Sequence, residues 1–188
     1  MLFQLPEFSV YLWISGFASK PHDFDLTLRG IQEKYPHLSA QFVDLDKVPG
    51  SRYLFLATLN ALKSFHSRQP ISKTLGMEIL LFVSANRQIT EAIRLVGITS
   101  DTKTVAVILV GKTEEEVLGA TESLCQTLAQ KSNDGLIDHW SAERIQNVLS
   151  LFEIGSKELR ATLRKNEAKA QAVERLAIER SALLTVRK

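Results

Sequence analysis

Apolar and polar positions alternate along Glu7–Phe17, with Phe8, Val10, Leu12 and Ile14 on one side and Tyr11 and Trp13 on the other, the two-residue period of a strand. Asp23–Lys34 predicts a helix with Asp23 as N-cap and Pro36 closing it. Ala40–Leu45 reads as a short strand, followed by a turn at Val48-Pro49-Gly50. Ser51 then caps a helix running to about Ser67, and within it Tyr53–Phe65 is apolar nearly all round until Lys63. Met77–Val83 is a near-continuous apolar run of strand length, the pattern of a strand covered on both faces. Past Ser84, Ala85 and Asn86, the spacing of Ile89, Ala92, Ile93 and Val96 predicts a helix with one buried stripe, stopped by Gly97. Thr104–Val110 is a second fully apolar strand, and Thr113 caps a helix to about Lys131. A turn at Asn133-Asp134-Gly135, a helix over Ser141–Leu151 and a helical tail from Ser156, broken before Leu183, complete the order.

Strands alternating with helices through residue 131 favour an α/β fold. The expectation is one domain with a mixed β-sheet of about four or more strands, flanked by helices and followed by a helical C-terminal segment. The chain has 188 residues, 45 % of them hydrophobic, enough for a substantial core. The single cysteine, Cys125, excludes an intrachain disulfide and points to a reducing compartment. No apolar run reaches membrane-spanning length, and MLFQLPEFSVYLW lacks the basic start of a signal peptide, so a cytoplasmic protein without membrane contact is expected.

Charge changes this picture at one end only. Lys157–Lys188 carries nine lysines and arginines against four acids, whereas the rest of the chain carries fourteen against seventeen. A basic helical tail attracts phosphate at long range. It is equally a solvated helix face, and Leu159, Leu163, Val173 and Leu184 along it are candidates for core.

Two segments are candidates for binding. A turn delivering Asn86, Arg87 and Gln88 to the start of a helix leaves backbone N–H groups unpaired and partially positive, which suits a phosphate; a plain capped helix start is the competing reading. The Tyr53–Phe65 helix is either a central core helix or one that covers a partner with Tyr53, Leu56, Ala57 and Asn60. Catalytic signatures fail. Gly111-Lys112-Thr113 resembles the end of a P-loop, but Ala106 stands where the motif needs glycine. His22, His37, His66 and His139 lack metal-ligand spacing, and no G-x-S-x-G elbow occurs. Glu114-Glu115-Glu116 suits the positive end of a helix dipole. Glu78, inside an apolar run, needs a partner such as Lys73 or Arg87 or a place at a strand edge.

The wording of Leu75–Ile98, LGMEILLFVSANRQITEAIRLVGI, resembles the signature of the kinase-binding subunit of the KEOPS complex, the family of the PRPK-binding protein, with members in archaea and yeast. The shared elements are L-G-x-E-I/F-L-L, R-Q-I and A-I-x-x-V-G-I; Tyr53–Phe65 and Leu176–Val186 match more weakly. The resemblance implies a non-enzymatic accessory subunit without cofactor or metal. It would bind the small atypical kinase/ATPase of a complex that places threonylcarbamoyl on the adenosine beside the tRNA anticodon, and meet the other KEOPS subunits indirectly. It would also help recruit the tRNA by its 3′ CCA end. Under that implication Tyr53, Leu56, Ala57 and Asn60 face the kinase, and Lys73, Asn86, Arg87, Gln88 and Ile89 face the RNA. Two other classes stay open: an interaction module without RNA contact, and a small-molecule enzyme with an anion site at Ser84–Gln88.

Overall fold

The computed structural model describes residues 1–185, so Val186 of the tail match lies outside the described residues. Two compact units form, residues 1–45 with 98–137, and residues 46–97 with the described residues from 138 onward. Each draws on two separate stretches, so no single cut in the chain parts them.

The first unit is an α/β layer. Strands β1 (Leu2–Leu5), β2 (Val10–Phe17), β3 (Ser39–Asp44) and β4 (Val105–Gly111) make one sheet in the order β1-β2-β4-β3, and every neighbouring pair is antiparallel. The alternation of strands and helices had pointed to a sheet of mixed direction. β2 and β3 do run the same way, joined by α1 (Phe24–Lys34), but β4 is wedged between them and opposes both. The alternating stretch is shorter at its start than expected. Pro6 opens a 3-10 turn, Pro6–Phe8, and Ser9 takes a left-handed φ of 54°, which folds β1 back onto β2. Helices α1 and α5 (Glu114–Thr127) pack on the face that presents Trp13, Phe17, Phe42, Val105, Val107 and Leu109. Their caps are local and legible. Asp23 accepts from the Leu26 N–H at 2.9 Å, and Thr113 from the Glu116 N–H at 3.2 Å. Glu116 reaches back past the cap to accept from the Lys112 N–H at 2.9 Å, so the P-loop-like GKT serves as the start of a capped helix. Cys125 is half-buried on α5.

The described part of the second unit is helical: α2 (Ser51–His66), α3 (Leu75–Ser84), α4 (Ile89–Val96), α7 (Ala142–Leu151), α8 (Ser156–Thr162) and α9 (Lys169–Ala182); of the single turn α6 (Gly135–Asp138) only Asp138 belongs to it. The apolar run 77–83 is therefore helix, where a strand was expected. Ile79, Leu80, Leu81, Phe82 and Val83 are all buried, and a run buried on every side carries no period to tell strand from helix. The local chemistry decides it. The Thr74 hydroxyl accepts from the Met77 N–H at 3.3 Å, and Ala85 closes the helix in a left-handed conformation.

Helix α2 runs between α3 and α9. Its first turn is held by the C-terminal stretch: Asp138 accepts from the Ser51 N–H and hydroxyl, both at 2.8 Å, and Glu174 from the Tyr53 N–H at 3.3 Å. Gly50, not Ser51, is the N-cap, with φ of 126°; a Cβ there would sit 2.7 Å from a Glu174 oxygen. Burial raises the Glu174 pKa above the usual carboxylate range. Beneath this turn lies Arg144, itself buried, whose Nε and Nη2 donate to the Val48 carbonyl at 2.9 and 2.7 Å and whose Nη1 donates to that of His139 at 2.7 Å. The guanidinium lies over the Trp140 ring, 5.2 Å from its centre. Burial pulls its pKa down to about 10, opposed by the charges of Asp46, Asp138 and Glu174. In the tail, Leu159, Val173, Leu176 and Leu184 are buried and Leu163 is 38 % exposed. The tail as far as Leu184 is thus part of the packing.

Candidate functional site

The expected binding residues all lie between α2 and α4. On α2, Tyr53, Leu54, Ala57, Thr58, Ala61 and Leu62 form the buried side, while Arg52 and Lys63 are exposed and Phe55, Leu56, Leu59 and Asn60 half-buried. The latter six recur every three or four residues, so they share one outer stripe that is greasy in the middle and cationic at both ends. Leu56 and Asn60 therefore stand where a partner would meet them. Tyr53 and Ala57, taken as exposed, are buried. The Tyr53 hydroxyl points inward at the end of α3, donating to the carbonyls of Phe82 and Val83, 3.1 and 2.8 Å away; the Phe82 carbonyl also accepts from the Ser181 hydroxyl at 2.8 Å. Burial pushes that hydroxyl's pKa far above its ordinary value. Phe55 and Leu59 occupy the positions on the outer stripe that the sequence reading assigned to Tyr53 and Ala57.

The turn from α3 to α4 differs from the expected strand-to-helix junction. The N–H groups of Ala85 and Asn86 both return to α3, the latter to the Leu81 carbonyl at 3.1 Å. Asn86 does not cap α4; its side chain accepts from the Gln88 N–H at 2.9 Å, and Gln88 is the N-cap with no side-chain bond. Arg87 is exposed, yet its Nη1 donates to the Leu184 carbonyl at 3.0 Å, tying the turn to the end of α9's segment. The stripe on α4 is the reverse of the expected one in part: Ala92 and Val96 face inward, while Ile89 and Ile93 are 42 % and 47 % exposed. An apolar pair one helical turn apart thus lies beside Arg87 in the chain.

Between α2 and α3, residues 67–74 are fixed by Glu78. Its carboxylate is fully buried and accepts from the N–H groups of Ile71 (3.0 and 3.1 Å to its two oxygens) and Ser72 (2.7 Å), with the Ser64 hydroxyl at 2.9 Å. Neither Lys73, which is exposed, nor Arg87 pairs with it as expected; backbone donors satisfy the charge instead. Glu78→Ala should cost about 2 kcal/mol, because two buried N–H groups lose their acceptor. Chemical denaturation would read this, and an unchanged midpoint would refute it.

The segment so fixed walls a cavity of about 490 Å³, together with the C-terminal half of α2 and the turn. It is lined by Asn60, Lys63, Ser64, Ser67, Gln69, Ile71, Phe82 and Arg87. The structure thus brings Asn60 and Arg87 together around one hollow and adds Lys63 and Gln69, which sequence reasoning missed. Lys63 had a signal, since it continues the spacing of Leu56, Leu59 and Asn60; Gln69 had none. Lys73, Gln88 and Ile89 lie outside the hollow. Among the described residues no group of three or more His, Cys, Asp or Glu is placed to hold a metal ion, and no helix is long and apolar enough to cross a membrane.

No curated protein matches the chain. A family model, described as kinase binding protein CGI-121, matches residues 26–185 and so takes in nearly all of α1 and everything through α9, with the Leu75–Ile98 wording, the outer stripe of α2 and the cavity all inside it. By that match the chain belongs to the CGI-121 family of kinase binding proteins.

Proposed function

We propose that this protein is a non-catalytic accessory subunit of a KEOPS complex, holding the small kinase/ATPase through the outer stripe of α2 and helping to recruit tRNA by its 3′ CCA end. The family's description as kinase binding, joined to a half-exposed apolar stripe on α2, supports the first role. Phe55, Leu56 and Leu59 supply the greasy centre of the contact, and Arg52, Asn60 and Lys63 its polar rim. The second role draws on cations and exposed apolar groups in one stretch. Arg87 and Lys73 offer charge to phosphates, Asn86 and Gln88 frame the turn, and Ile89 with Ile93 gives unpaired bases a surface to lie on. In this reading the protein positions macromolecules and transforms none.

Co-expression with the kinase-like partner tests the first role. Leu56→Glu/Leu59→Glu should weaken the complex roughly a hundredfold while both proteins stay folded. A wild-type chain that forms no complex with that partner would overturn the proposal. For the second role, intact tRNA should bind more tightly than tRNA lacking CCA, with affinity falling as salt rises. Lys73→Glu should weaken binding without touching any bond within the fold; equal affinity for the two RNAs would remove the RNA role and leave the interaction module.

A further inference from the structure

We infer that the outer edge of β1 is a self-association site, at which two copies of this chain join their sheets antiparallel about a two-fold axis beside Phe3. The Met1 amine donates to the Ile14 carbonyl at 2.9 Å, and the Ile14 N–H returns a bond to the Met1 carbonyl at 3.0 Å. Met1 and Ile14 are therefore a hydrogen-bonded pair. In the alternation of an antiparallel ladder, Phe3 and Leu5 are bonded to β2 in the same way, whereas Leu2 and Gln4 turn their N–H and C=O groups away from it. β1 ends the sheet, and among the described residues nothing pairs with those four groups. They amount to two donors and two acceptors placed evenly about Phe3. An identical strand laid antiparallel, with Leu2 opposite Gln4 of the second copy, satisfies all of them at once.

Nothing in β1 opposes an identical neighbour. Its sequence, LFQL, has neither a charge nor a proline within it, the usual guards of a free edge. Leu2 is 37 % exposed and lies on the same face as Trp13, so a second strand alongside gives it cover. The opposite edge of the sheet is guarded. The Leu45 N–H donates to the Thr104 carbonyl at 3.1 Å, which by the same alternation turns the Phe42 carbonyl to the outer side of β3. Gln41 covers that carbonyl with its own carboxamide, donating from Nε2 at 3.0 Å, and Asp44 adds a charge at the strand's end. β1 of one copy is thus kept from joining β3 of the next. Association closes at two copies instead of running on as a filament. A foreign strand would meet the same four groups, but a short uncharged edge offers little by which to choose one; the second copy fits by symmetry alone.

A contact built on so short a strand falls below the area of standard interfaces, so the dimer is weak, with a dissociation constant on the order of 100 µM. Sedimentation of the untagged full chain at concentrations on either side of that value should show its mass double and go no higher. Amide exchange followed by NMR locates the contact. The N–H groups of Leu2 and Gln4 should exchange quickly in dilute solution and several-fold more slowly in concentrated solution, while that of Phe3 is protected in both. Gln4→Pro removes an outward donor and leaves the ladder to β2 whole, since an edge strand accepts proline where its N–H faces solvent. It should abolish the doubling and keep the melting temperature. A chain that stays monomeric throughout, one that grows past two copies, or a Gln4→Pro chain that doubles like wild type overturns the inference. Where the proline variant melts early, wild-type exchange decides: a chain of doubled mass whose Leu2 and Gln4 amides exchange as fast as before has joined by another surface.

Discussion

A chain ending at Gly155 is expected to lose the cooperative melt of the second unit altogether, not merely to bind RNA less well at low salt. The basic tail read as either a nucleic-acid arm or as core, and the two readings part here. Leu159, Val173, Leu176 and Leu184 are buried. Withdrawing four such side chains forfeits about 6–12 kcal/mol at 1.5–3 kcal/mol each, as much as the whole stability of an ordinary domain, about 5–15 kcal/mol. The truncation would also strip α2 of Glu174 and uncover the side of α2 and α3 on which α9 packs. Circular dichroism against temperature is the direct measurement. A sigmoidal transition preserved in the shortened chain, with only its low-salt RNA affinity reduced, would return the tail to the role of an arm.

Arg144→Ala is the single substitution expected to cost most, about 3–5 kcal/mol. The loss is not that of a surface cation. The guanidinium reaches two carbonyls with three hydrogen bonds, and truncating it to a methyl group would leave those of Val48 and His139 without their donor. It would also remove the positive charge that Asp46, Asp138 and Glu174 share. The damage should converge on the Val48-Pro49-Gly50 turn, hence on the first turn of α2 and the stripe proposed to hold the kinase. Arg144→Lys keeps a charge but lacks the planar fork and should recover only part of the loss. Urea unfolding measures both. A midpoint within error of wild type for the alanine variant would show that the carbonyls find other donors.

Features set by a residue and its immediate neighbours were legible in the chain, and those set by distant packing were not. Asp23 and Thr113 each accept from an N–H three residues on, so their caps could be read directly. β2 and β4 were readable because alternation and unbroken apolarity persist for seven residues or more. The run 77–83 was misread because its neighbours surround it, erasing the periodicity that would betray a helix. Tyr53 and Ile93 exchanged places with expectation for a related reason. An aromatic residue with a hydroxyl suits an exposed contact, but the end of α3 offers Tyr53 two buried carbonyls to donate to; isoleucine suits a core, but Ala92 and Val96 already fill that side of α4. The turn at 84–88 was found from its wording, while the cavity beside it was invisible, since it needs Glu78 to fold residues 67–74 against α2. Of the residues proposed for binding, Leu56, Asn60, Arg87 and Ile89 emerged at accessible positions, and Tyr53 and Ala57 did not.

That both units are stitched from two stretches bears on how the molecule is born. β4, which separates β2 from β3, leaves the ribosome some sixty residues after β3 does, and α9 follows α2 by about a hundred. Neither unit can finish until its later stretch has been translated. In that interval the greasy α2–α3 hairpin stands bare, without α9 to shield it. Efficient production should therefore depend on a chaperone that holds nascent chains, and slowing translation should increase aggregation of the newborn protein rather than relieve it.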